Sequence, residues 1–398
     1  MVLRRSPTWL RRLLANTTWF RQGQLRNLLQ RRRREIFAFL LLMGFASILL
    51  LALVPGRSRF ETQVVAAQVN FEIVLPANEP RRRFLDSIRN LESLTLSGRH
   101  AELINLTGQF TSETLGTLIE LELELPYDYS RLQLQPIAAP EVALPSELEV
   151  LALQLQDQTR VNALSYVPVN RRLELLFTHA APPDLAEGSV LELYLGQQPL
   201  QLIIEGYRLS VAGQTLEDPD GNQPLTFSFI PDIAELAVPL PQTGALSLSL
   251  PPLANIDTLR WFWGNLPVTQ VAFKTEERRG GDALERSTLR RGTVRMGEQE
   301  LDLEADQFLL LKQPGIQHIR YLRLIEDEGI EVRASGETSL AQAGLDPTFP
   351  VRGVQSNIIA RVFRPDVVVA IVSFSGAMVA TLLSWFINNL FKPTDEDR

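Results

Sequence analysis

Residues 118–126 read LIELELELP, and from Glu120 onward glutamate and leucine alternate. Successive side chains of a strand point to opposite faces, so Leu121, Leu123 and Leu125 share one face and Glu120, Glu122 and Glu124 the other. A helix would scatter the same leucines around its axis. The stretch predicts a half-buried strand. Its carboxylates then form a solvated face rather than a catalytic pair.

The same period of two recurs on both sides of this stretch. LTLS (94–97) lies upstream, and RLQLQ (131–135), VLALQLQ (150–156), RLELLF (172–177) and VLELYL (190–195) follow. LQLII (200–204), LTFSFI (225–230), LSLSLP (246–251) and IRYLRLI (319–325) continue the pattern. Turn residues separate the runs at Pro182-Pro183, at Asp218-Pro219-Asp220-Gly221 and at Asp327-Glu328-Gly329. The prediction is a mainly β body of sandwich-like domains. Short helices are expected only near Arg82–Asn90 and Ile256–Arg260.

Four segments recur in order within this body. LTLSGRHAELINL (94–106) resembles LTFSFIPDIAELAVPL (225–240), and LELELP (121–126) resembles LSLSLP (246–251). Residues 159–177 pair in the same way with 287–308, and 193–206 with 322–336. Ordered recurrence predicts two tandem copies of one β-domain, over 92–217 and 225–345.

Both flanks of the body are apolar. Ile36–Val54 reads IFAFLLLMGFASILLLALV, 19 residues without a charge. As a helix it would span about 28 Å, close to the hydrocarbon core of a bilayer. Val367–Ile387 reads VVVAIVSFSGAMVATLLSWFI, 21 residues without a charge, about 31 Å as a helix. A signal peptide has a shorter apolar core behind a short basic start, so Ile36–Val54 is expected to stay as an anchor. Ser373, Ala377, Ala380 and Ser384 fall on one stripe of the second helix, with Gly376 beside them. Such stripes let membrane helices approach closely, so this face is the candidate packing surface. Neither run holds an ionisable side chain, which argues against a proton or ion path through this chain alone.

Charge sets the topology. Residues 1–35 hold ten arginines against Glu35, a balance of +9, whereas residues 56–365 hold 27 basic and 41 acidic residues, a balance of −14. The dense basic flank Arg31, Arg32, Arg33 and Arg34 is expected to stay cytoplasmic against lipid headgroups, and nucleic acid is not the expected partner. Leucines and arginines over residues 8–30 suggest an amphipathic interfacial helix broken near Gly23. Two spans would return the tail 388–398 to the cytoplasm and place residues 56–365 outside.

Chemistry-bearing constellations are sparse. The chain has no cysteine and three histidines, His100, His179 and His318, none in a metal-binding spacing. His100 and His179 fall in expected turns and are read as solvated. The oxygen-rich run Glu217–Asn222 lacks the rest of a calcium loop and is read as a turn. On a strand, Trp261 and Trp263 would share a face, as core or as a surface for a glycan or a partner.

The sequence therefore predicts a basic leader (1–35), a membrane helix (36–54), a lead-in (56–91) and two β-domains (92–217 and 225–345). A linker (346–366), a second membrane helix (367–387) and a short tail (388–398) follow. The expected function is a non-enzymatic accessory or scaffold protein without a cofactor, working with membrane lipids and a membrane-protein partner or a second copy of itself. The alternative is a glycan-binding module carried by Trp261 and Trp263.

Overall fold

The computed structural model describes residues 33–100, 103–137, 145–180, 188–211, 214–252, 260–279, 282–325, 327–356, 363 and 365–390. The chain divides into two compact units, Arg57–Ser356 and the flanking segments Met1–Gly56 with Asn357–Arg398. The expected basic interfacial helix over 8–30, the expected helix at Ile256–Arg260 except its last residue, and the tail from 391 lie outside the described residues.

The body is built of antiparallel strands. One ladder runs Gln299–Leu303 (β22), Leu289–Met296 (β21), Ser58–Ala66 (β1), Gly329–Thr338 (β25), Gly315–Ile325 (β24) and Arg260–Ala272 (β18). The long strand β18 leaves this ladder after Pro267 and enters a second one. That ladder continues through Gln68–Ile73 (β2), Arg160–Val167 (β9), Arg172–Thr178 (β10), Thr243–Ser249 (β17), Ser93–Gly98 (β4) and Arg131–Pro136 (β7). It then passes through Leu200–Glu205 (β12), Leu225–Pro231 (β15), Ile104–Ser112 (β5), Gly116–Glu124 (β6), Arg208–Val211 (β13) and Gln214–Glu217 (β14). Through β18 the two ladders form one network of 18 strands among the described residues.

Smaller sheets complete the body. Glu235–Pro239 (β16), Val190–Tyr194 (β11), Glu149–Gln156 (β8) and Arg81–Ile88 (β3) form a four-stranded sheet. Lys274–Arg279 (β19) and Asp282–Ser287 (β20) form a hairpin, and Phe308–Leu311 (β23), Leu340–Gly344 (β26) and Arg352–Gln355 (β27) a three-stranded sheet. Phe84 of β3 tilts against Phe71 of β2, ring centroids 5.7 Å apart, and ties the four-stranded sheet to the second ladder.

Alternation does what the sequence predicts. Leu121, Leu123 and Leu125 are wholly buried, and Glu120 and Glu122 are exposed. Burying each leucine is worth roughly 2 kcal/mol, so a slip by one residue would invert the whole strand at large cost.

Two expectations are corrected. Arg82–Asn90 is not helical: Arg81–Ile88 is strand β3, with a bulge between Arg83 and Leu85. The bulge buries the neighbours Phe84 and Leu85 together, which breaks the alternation that marks a strand. Residues 225–249 do not open a second copy. Strand β15 pairs with β5 and β12, β16 with β11, and β17 with β4 and β10, so all three belong with strands drawn from 93–205. Of the four recurring segments, only the hairpins β9–β10 and β21–β22 share a setting, each flanked by one of the consecutive strands β2 and β1.

Among its described residues the flanking unit holds two helices, Arg33–Leu53 (α1) and Pro365–Leu390 (α2). They pack antiparallel. Phe39 meets Phe386 at 6.5 Å between ring centroids, and Phe45 meets Phe374 edge-on at 5.7 Å. Ser375, Ala38 and Ala52 are buried in this unit. Within α2, Asp366–Asn388 is long and apolar enough to cross a membrane, and only 6% of its apolar window is buried. The apolar part of α1, Ile36–Ala52, is shorter.

Candidate functional site

The expected site residues fall in separate places. Trp261 and Trp263 lie on β18, with Trp263 in register with Tyr321 of β24; their side chains lie outside the described residues. Arg33 and Arg34 open α1, while Arg31 and Arg32 precede the described residues. On α2, Ser373, Ala377, Ala380 and Ser384 are exposed and Gly376 is half-buried, whereas Ser375 is buried. The small-residue stripe therefore points away from the buried side of the helix pair.

His100 and His179 are not solvated turn residues as expected. Both are more than nine-tenths buried. They flank the start of β17: Thr178 is in register with Thr243, and Gly98 with Gly244. The His179 amide donates to the Gln242 carbonyl at 2.8 Å, and the His100 amide to that of Leu125 at 2.8 Å. Burial lowers the His100 pKa to about 4, against the opposing pull of a hydrogen bond to the Pro239 carbonyl. Burial lowers that of His179 as well. Burial favours the neutral imidazoles here, since charging either one would cost desolvation energy. His100 also borders an open cleft with Arg99, Glu124 and Asp128.

The oxygen-rich run after β14 is a turn with a built centre. Asp218 is buried, and its carboxylate accepts from the Gly206 amide at 3.1 Å and from the Asn222 amide at 3.0 Å. These bonds use the carboxylate for backbone closure. Among the described residues no cluster of side chains is suited to a metal ion.

A second cleft, of about 850 Å³, lies over β2, β9 and β18. Here the ladder is irregular on both sides of β2. Between the pairs Leu176–Ala163 and Phe177–Val161, strand β9 carries Asn162 as an extra residue. Between the pairs Thr269–Glu72 and Ala272–Asn70, strand β18 carries Gln270 and Val271 against Phe71 alone. Gln270 adopts a left-handed backbone, φ 53°, which is uncommon for a residue with a side chain. Bulges re-aim side chains, and these two bring Asn162 and Gln270 to the same cleft as Asn70.

The amides of the cleft are ordered. Asn162 donates to Thr178 Oγ1 at 3.0 Å, Arg160 donates to Gln270 Oε1 at 2.9 Å, and Gln68 donates to Asn70 Oδ1 at 2.9 Å. Leu176 contributes an apolar surface that is 45% exposed. Sequence reasoning missed this site because asparagine and glutamine within a strand look like ordinary solvent-facing residues. One signal was available: Ala163 and Leu164 are adjacent apolar residues in an otherwise alternating run, the mark of an inserted residue.

Compared with family models, with curated proteins and with solved structures, the chain matches none.

Proposed function

We propose that this chain is a membrane-anchored, non-enzymatic accessory or scaffold protein. Its two helices cross the bilayer as a hairpin, with both termini cytoplasmic and the β-rich body presented outside. The observation that carries this reading is the apolar surface of the helix pair. Phe37, Leu40 and Leu50 on α1 and Val369 and Phe374 on α2 are all at least 60% exposed. Water would not tolerate so much uncovered apolar surface on two adjacent helices, whereas hydrocarbon would cover it without cost. The +9 leader supports a cytoplasmic N-terminus. The shorter apolar part of α1 fits a bilayer that thins locally around it.

One span would be enough for an anchor. A second span whose small-residue stripe lies off the buried side favours a further helix as neighbour, from a membrane-protein partner or a second copy. Protease added to the outside of right-side-out vesicles tests the topology. Residues 57–356 should be digested and tags at both ends protected. Digestion of the N-terminal tag from that side overturns the reading. Copurification in mild detergent then tests the scaffold role, which a chain recovered alone and monomeric would contradict.

A further inference from the structure

We propose that the cleft over the β9 and β18 bulges binds a neutral, hydroxyl-rich chain, that is, an uncharged glycan. The amides are the first reason. Asn162, Gln270 and Asn70 each use one atom of the side-chain amide on a neighbour. What remains for a ligand is the Asn162 carbonyl oxygen and the Gln270 and Asn70 amino groups, a mixed set of acceptor and donors. Hydroxyl groups both donate and accept, so a sugar ring satisfies such a set where a purely accepting or purely donating ligand does not. The fixed bonds also hold the amides in place before a ligand arrives, which lowers the entropy lost on binding.

Charge is the second reason. Lys274 at the cleft is paired with Glu285, and the guanidinium of Arg160 is tied to Gln270, with Glu276 also on the rim. The charges balance, so neither an anionic nor a cationic ligand is favoured. The third reason separates a glycan from a peptide. An extended peptide would add to a free strand edge, but β9 is hydrogen-bonded to both β2 and β10, and β2 to both β9 and β18. Recognition must therefore come through side chains on the face of the sheet. Leu176 offers the apolar surface on which the C–H face of a sugar can rest. Backbone strain at Gln270 is a cost that a merely structural strand would shed by placing glycine there.

This inference does not depend on how the chain sits in a membrane. The full-length protein, purified in mild detergent, is tested on an array of neutral glycans, anionic glycans and peptides. At least one neutral glycan should bind. Asn162→Ala and Gln270→Gly should each weaken that binding about tenfold, the loss expected for a ligand hydrogen bond. Glycine suits the left-handed backbone at 270, so Gln270→Gly removes the amide without straining the strand. Gln109→Ala, an exposed amide on β5, should leave binding unchanged. Absence of binding to every neutral glycan overturns the proposal. So does neutral-glycan binding that survives both cleft substitutions, or a preference for peptide or anionic glycan that either substitution abolishes.

Discussion

Phe110 of β5 and Phe229 of β15 lie directly opposite each other, their rings within 4° of parallel and 4.4 Å apart. Phe227 meets the same Phe110 edge-on at 6.0 Å. All three are fully buried. This cluster fixes β15 to β5, far away in sequence, and so decides which part of the body residues 225–231 join. An aromatic pair adds about 1 kcal/mol beyond the area that it buries. Phe229→Ala should cost about 3–5 kcal/mol through the cavity that it leaves. Phe229→Leu should cost distinctly less. Urea unfolding in detergent reads both, and equal midpoints for wild type and Phe229→Ala would show that the cluster does not hold the strand.

A second prediction concerns a buried carboxylate of the first ladder. Glu331 of β25 is almost wholly buried, yet it carries a carboxylate. Arg323 lies 2.7 Å from it, the Tyr321 hydroxyl donates to it at 3.2 Å, and the Gln63 amide donates to it as well. A buried carboxylate is tolerable only with partners of this kind. Arg323→Ala should destabilise the body by about 2–3 kcal/mol, because it removes a countercharge from a buried carboxylate. Arg323→Ala combined with Glu331→Gln should recover part of that loss. A double variant no better than the single one would mean that Arg323 acts through packing alone.

Acid should loosen the end of the core where His100 lies. Its pKa in the folded chain, about 4, is below the ordinary 6.5. The unfolded chain therefore takes up a proton first. The stability that His100 contributes is complete above pH 6.5 and is lost as the pH falls towards 4. At about 1.4 kcal/mol per unit the loss approaches ~3 kcal/mol, and the lowered pKa of His179 acts in the same direction. Asp346, whose pKa is lowered by hydrogen bonds from Thr348, loses its contribution only below the ordinary carboxylate range. Urea midpoints at about pH 7 and 5 separate the two effects. His100→Gln, which keeps a donor for Pro239, should flatten the dependence over that interval. An unchanged pH dependence in this variant would assign the effect to other groups.

The strands were legible because burial on one face leaves a period of two, and LIELELELP shows that with no help from neighbours. Strand partners were not legible. Alternation states which face of a strand is buried but not against what, so LTFSFI at 225–230 looked equally suited to opening a second domain. The stacking of Phe229 on Phe110 is a contact that only the fold brings about. The histidines were misjudged for a related reason: His100 and His179 sit just past strand ends, where turns are usually solvated, but the segment around Pro239–Thr243 covers them. Bulges hid the amide cleft, since Asn162 and Gln270 are extra residues in strands that otherwise keep their pattern. The apolar runs were legible as helices, because Ile36–Val54 and Val367–Ile387 contain neither a proline nor a charge.

The last prediction uses the absence of cysteine. The two thiols of a double variant are the only ones in the chain, so a crosslink formed within one chain reports that one pair. Phe45→Cys with Phe374→Cys should crosslink within one chain, because the two rings meet at 5.7 Å in the helix pair. Phe37→Cys with Phe374→Cys, on the same helices but without such a contact, serves as the comparison. Ala377→Leu and Ala380→Leu enlarge the stripe that lies off the buried side. They should leave the intrachain crosslink intact and weaken association with a partner helix or a second copy, since bulk at small-residue positions blocks close approach. Ser375→Leu should do the opposite and disturb the intrachain crosslink, because Ser375 is only 1% exposed. If all three leucine variants kept both the crosslink and the association, the stripe would be mere composition and the second helix a second tether. If Ala377→Leu and Ala380→Leu broke the intrachain crosslink, the hairpin would pack on its other face.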